Sequence, residues 1–109
     1  MKEVKAYITK HKLEAVTRAL HKIEGLTGMS VIERCGYGIG WAKAKIPEEL
    51  DFHPGVKLEV VCHDDLVEQV VTAIEKTAHT GLKGDGKIYV STIDQAVRIS
   101  TGERGEGAV

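Results

Sequence analysis

Residues 56–78, VKLEVVCHDDLVEQVVTAIEKTA, switch hydrophobic period halfway. From Val56 to Cys62 apolar and polar residues alternate, the period of a half-buried strand. From Leu66 onward Val67, Val70, Val71, Ile74 and Ala78 recur at helical steps and form one apolar stripe. Asp65 precedes the stripe and Glu68 stands three residues on, the spacing of a capping box. Gly81 follows the stripe's end, as a helix stop should. The stretch therefore predicts a strand running into a helix.

The same order stands at the N-terminus. Val4, Ala6 and Ile8 alternate with Lys5 and Tyr7, which predicts a strand over 2–9. Leu13, Val16, Leu20 and Ile23 then share a helical face, with Gly25 just beyond. Residues 29–35 read as a second strand and GKIYVS at 86–91 as a fourth. Residues 94–97 read as one short helical turn and 98–100 as a last short strand. The tail TGERGEGAV is polar and glycine-rich, and is expected to be mobile unless a ligand or partner orders it. Strand–helix–strand, a long loop over 36–55, then strand–helix–strand predicts an α+β, ferredoxin-like βαββαβ domain with both helices on one sheet face. The other face, with Tyr7 and Tyr89, must meet water or another subunit. The whole chain, 1–109, reads as one domain.

Composition agrees and excludes other classes. One domain usually takes ~100–150 residues, and this chain has 109. Its net charge of −1 argues against a general nucleic-acid binder, which needs basic excess to neutralise phosphates. No apolar run approaches the roughly 20 residues of a membrane span. The N-terminus has no secretory h-region, and Cys35 and Cys62 make no disulfide framework. The cytoplasm is the expected location. Both cysteines are expected as small core residues.

Three stretches could carry chemistry. In TGLKGDGK at 80–87, three glycines within six residues let successive N–H groups converge into a concave nest for an anion. Lys87, with Lys83, adds charge. The plain alternative is a flexible connection with solvated lysines. In GYGIGW at 36–41, alternating glycines let the chain leave the sheet edge, and no Rossmann unit follows to make them a dinucleotide fingerprint. Trp41 could stack on a base or anchor a partner, or pack on its own domain. Lys43 and Lys45 could reach an anion. Arg98 and Arg104 could grip phosphate oxygens, or form surface ion pairs that contribute little. Metal and nucleophile patterns are absent: the five histidines lack ligand spacing, and no serine has a motif-level His and carboxylate.

TGLKGDGKIYV at 80–90 and AVRISTGERGEGAV at 96–109 resemble the C-terminal pattern of the PII signal-transduction family. KAYITKHKLEAVTRAL at 5–20, TGMSV at 27–31, GYG at 36–38 and VKLEVVCHDDLVEQVV at 56–71 extend the resemblance over nearly the whole chain outside 39–53. The resemblance implies a trimer that binds adenine nucleotides in clefts between subunits. It implies no catalysis. The long T-loop would dock on a membrane transporter, enzyme or regulator. By matching position, Gly84, Asp85, Gly86 and Lys87 form the phosphate run, and Gly36, Gly38 and Arg98 line the same cleft. Tyr7, Thr27, Met29, Ser30, Glu59, Val61, Cys62 and Thr80 fall where the family holds adenine and ribose. Gly40, Trp41, Lys43 and Lys45 belong to the partner- and effector-facing loop.

Departures shape the functional expectation. The loop is shorter than the family's and has no tyrosine between Ile39 and Phe52. Gly40 and Trp41 replace the family's Gln and Lys, which puts its 2-oxoglutarate and magnesium contacts in question. A family Lys at the outer phosphate aligns with Gly55, and a second Arg with Ser100. A divergent, PII-like regulator is expected, in nitrogen or inorganic-carbon control. ADP or AMP should bind at least as tightly as ATP, and bicarbonate is a candidate effector. Two other classes compete. A slow nucleotide hydrolase would need a base near the phosphates, for which Asp85 and Glu103 are the local candidates. A structural module of metal-tolerance type would need exposed Cys or His ligands.

Overall fold

The computed structural model describes residues 1–36 and 53–109. Four strands form one sheet: β1 (Lys2–Ile8), β2 (Ser30–Gly36), β3 (His53–Cys62) and β4 (Lys87–Thr92). The spatial order is β2-β3-β1-β4 and every pairing is antiparallel. Helix α1 (Leu13–His21) follows β1 and α2 (Val67–Ala78) follows β3. This is the ferredoxin-like arrangement that the order of periods predicted.

Alternation fixes which residues face the helices. Val4, Ala6 and Ile8 of β1 are buried, as are Val56, Leu58, Val60 and Cys62 of β3. Val16 and Leu20 of α1 and Val70, Ile74 and Ala78 of α2 close over them. The core is aliphatic throughout. Fully burying one such side chain contributes roughly 1.5–3 kcal/mol. The opposite face carries Lys5, Tyr7, Lys57, Glu59 and Tyr89, and no described element covers it.

Several boundaries differ from the sequence expectation. β3 begins at His53, so residues 53–55 belong to the sheet and not to the loop. β2 and β4 each start and end one residue later than expected. Both helices are entered through 3-10 turns, Lys10–Lys12 and Asp64–Leu66. The expected capping box at Asp65 does not form: no side chain caps α2. The turn itself engages a helix-entry donor, with Leu66 N–H on the His63 carbonyl at 3.0 Å. Asp64 turns away to the Met1 ammonium at 2.8 Å. Cys35 is exposed, not in the core. It lies on the helix side of edge strand β2, where Val31 and Glu33 are also uncovered.

The C-terminal segment departs most. Residues 94–97 form no helical turn, and 98–100 form no strand. Instead Val97 bridges Arg104 across a tight reversal. Arg98 N–H donates to the Glu103 carbonyl at 2.9 Å, and Gly105 N–H to that of Ala96 at 2.9 Å. A 3-10 turn, Gly105–Ala108, follows. Its Glu106 accepts from the Met1 ammonium at 3.1 Å and meets His63 Nδ1 at 2.7 Å. The tail is thus tied down by contacts within its own chain.

Candidate functional site

The loop between α2 and β4 is a built turn. Gly81, Gly84 and Gly86 take φ of +82°, +90° and +102°, values that L side chains rarely adopt. Asp85 organises the loop from within. Its carboxylate accepts from Thr80 N–H at 2.9 Å and from the Thr80 hydroxyl, and it pairs with His79 Nδ1 at 3.0 Å. The Thr80 hydroxyl in turn accepts from Leu82 N–H at 3.0 Å. The Thr80 hydroxyl first, then backbone N–H donors, hold the Asp85 carboxyl below its usual range. Asp85 is therefore spent on shaping the loop, a role its place in the glycine frame did not reveal.

Gly86 stands where no side chain fits. A Cβ there would lie 1.6 Å from the Tyr7 carbonyl oxygen. The glycine lets β4 start flush against β1, which places Lys87 directly opposite Tyr7. Tyr7, Asp85, Gly86 and Lys87 line a cavity of about 400 Å³ with His79 and the end of α2.

A second hollow, of about 330 Å³, lies toward the other end of β1. Thr27, Met29, Ser30, Glu59 and Val61 line it together, with Glu3, Ala108 and Val109. Five positions matched to adenine and ribose thus converge, although they come from a connection and two strands. The tail forms a wall of this hollow, which the sequence reading missed. Glu59 is engaged by Lys57 at 2.8 Å; that bond lowers the Glu59 carboxyl and raises the Lys57 ammonium from their ordinary values.

Other expected residues lie elsewhere. The Cys62 side chain is buried in the core, where burial pushes its thiol up. Arg98 stays within the tail: its guanidinium donates to the Gly107 carbonyl at 3.3 Å and lies 3.7 Å from Glu103. Gly36 closes β2 beside Arg34. Gly38, Gly40, Trp41, Lys43 and Lys45 lie outside the described residues. Among the described residues no group of His, Cys, Asp and Glu could hold a metal ion, and no helix is long and apolar enough to cross a membrane.

Arg34 is the residue that sequence reasoning overlooked. Its guanidinium lies 5.1 Å from the Tyr7 ring centroid, in cation–π contact. Tyr7 also packs edge-on against Tyr89, with centroids 6.0 Å apart. Only the strand register, which sets Arg34 opposite Gly55, brings these groups together.

A ferredoxin-like sheet with a preshaped glycine loop and two hollows beside its strands defines the class as a small α+β module, a fold that many functions share. Sequence comparison gives the family. The chain belongs to the PII family: the model for "Nitrogen regulatory protein P-II" matches residues 1–103. A protein of that description from Azospirillum brasilense is 42% identical over 113 residues, covering both chains completely. Those from Bradyrhizobium diazoefficiens and Mesorhizobium japonicum are 44% and 45% identical with the same coverage. Members of this family are signalling regulators that act through partner proteins, not enzymes. The hydrolase expectation falls with that assignment.

Proposed function

We propose that this chain is a trimeric regulator that binds an adenine nucleotide, ADP or AMP at least as well as ATP, in clefts between subunits. The observation that carries the reading is the division of the site. One chain offers an anion-suited corner at Gly86 and Lys87 and a separate hollow at Thr27, Met29, Glu59 and Val61. Both are open to solvent, whereas ligand sites usually bury ~70–90% of their ligand. A neighbouring copy laid on the uncovered face would deepen the second, where Glu3, Glu59 and Val61 stand on that face. Residues 37–52, with Trp41, Lys43 and Lys45, would carry the nucleotide state to a membrane transporter, enzyme or regulator in nitrogen or inorganic-carbon control, in the cytoplasm.

Calorimetry on the full chain with ATP, ADP and AMP tests this. ADP or AMP should bind at least as tightly as ATP, with little effect of magnesium or 2-oxoglutarate. An ATP preference that grows with 2-oxoglutarate would overturn the divergent reading in favour of a standard nitrogen sensor. Tighter nucleotide binding on adding bicarbonate would place the protein in carbon control; no change would count against it.

A further inference from the structure

Two buried polar atoms lack a hydrogen-bond partner among the described residues: Arg34 Nε and Thr9 Oγ1. Buried polar groups are nearly always paired, so each such exception calls for a physical account. Both atoms can donate, and both belong to one corner of the sheet. Arg34 stands opposite Gly55 on β3. Ile8 pairs with Val56, so the next residue along, Thr9, falls opposite Gly55 from the other side. Gly55 thus lies between two donors and offers no side chain of its own.

That missing side chain is what admits the guanidinium. A Cβ on Gly55 would lie 3.3 Å from Arg34 Nη2 and 3.0 Å from the Ile8 carbonyl oxygen. A Cβ on Gly36 would lie 2.0 Å from Arg34 Nη1. With both positions bare, Arg34 lies across β3 and reaches the Tyr7 ring on β1. No carboxylate pairs with Arg34 among the described residues. Nearby Lys57, 6.0 Å from the same ring, is already held by Glu59. Lys87 stands on the far side of Tyr7, one strand over. Arg34, reaching over β3 from β2, and Lys87, on β4, therefore flank the same Tyr7 ring from its two sides.

We infer that Arg34 and Thr9 form an oxyanion site over Gly55 that takes the distal phosphate of ADP while Lys87 and the glycine loop hold the inner one. This rests on the nucleotide reading above. It also amends one expectation drawn from the sequence: the charge absent at position 55 is supplied from position 34. The same donors would accept a free oxyanion such as pyrophosphate or bicarbonate, so the test separates the sources.

Calorimetry on the full-length protein, its Arg34→Gln variant and its Thr9→Val variant would use ADP, AMP, pyrophosphate and bicarbonate, with melting curves as the folding control. A charge-assisted contact commonly changes affinity by about tenfold or more. The wild type should bind ADP about tenfold or more tighter than AMP. Arg34→Gln should bring ADP to the AMP level and leave AMP nearly unchanged, at an unchanged melting temperature. Thr9→Val should act in the same direction and less. Equal ADP binding by wild type and Arg34→Gln, or equal ADP and AMP binding by wild type, overturns the Arg34 assignment and leaves the nucleotide reading standing. If the wild type binds neither nucleotide, that reading falls. Arg34-dependent pyrophosphate or bicarbonate binding would then keep the corner as a free-anion site, and none would end both.

Discussion

At the residue scale the sharpest constraint is Gly86. Its φ of +102° and the Tyr7 carbonyl at 1.6 Å from a hypothetical Cβ leave no low-energy place for a side chain. Backbone strain alone costs roughly 1–3 kcal/mol, and the clash adds to it. Gly86→Val should lower the melting temperature and abolish nucleotide binding in calorimetry. Lys87→Ala should leave the melt intact and weaken ADP by the loss of one charged contact, about 1.5–3 kcal/mol. If both variants bind ADP like the wild type, the loop is only a connection. The two thiols divide as cleanly. Cys35 is exposed, while burial raises the Cys62 pKa, and the thiolate is the reactive species. A chromogenic thiol reagent at neutral pH should therefore label Cys35 rapidly and Cys62 only on denaturation. Cys35→Ser should remove the fast phase.

At the element scale the prediction concerns how the tail is held. Glu106 and Asp64 are held below the usual carboxylate range, Glu106 by His63 first and Asp64 by the Met1 ammonium. The Met1 ammonium is raised above its ordinary 8.0 by Asp64 first, then Glu106. Lowered carboxylates stabilise the tail above their unfolded pKa and lose that as pH falls through the folded value. A raised amine stabilises it below 8.0 and loses that as pH rises through the folded value. Hydrogen exchange at 105–109 should therefore be slowest between the acid and mildly alkaline limits, and Glu106→Gln should speed it near neutrality. Exchange independent of pH, once intrinsic rates are divided out, would refute the clasp. This element was also the least legible in the sequence. β1, β3 and both helices announce themselves because one face of each is buried, and burial imposes a period. The tail has no buried face: beyond its own reversal it is held by bonds to residues far away in the chain, such as Glu106 to His63 and Met1, and no local pattern carries these. The glycine loop was legible because its conformation is written in residue type. Arg34 was not, because its place depends on the register of β2 on β3 across the connection at 37–52.

At the scale of the whole molecule the uncovered sheet face matters most. Tyr89 is 53% exposed and Ile32 46%, on the side opposite the helices. Light scattering should give the mass of a trimer; a monomer at micromolar concentration would remove the inter-subunit site with it. The core should behave as one cooperative unit. Leu58, with no exposed surface and placed on central strand β3, should cost about 2–5 kcal/mol when changed to Ala. That would lower the melting temperature by roughly 4 °C or more per kcal/mol for a domain of this size.

The bare position at 55 also bears on how such a sequence can change over generations. Any side chain placed there would press on the Arg34 guanidinium and the Ile8 carbonyl. Gly55→Lys on its own should thus melt at a lower temperature than the wild type. Paired with Arg34→Val, which removes the guanidinium and leaves only the Ile8 carbonyl to give way, the same lysine should recover part of that loss. The two sites are linked like a lock with a single key slot, so routes between the two charge arrangements run through the double change or through the loss of Arg34 first.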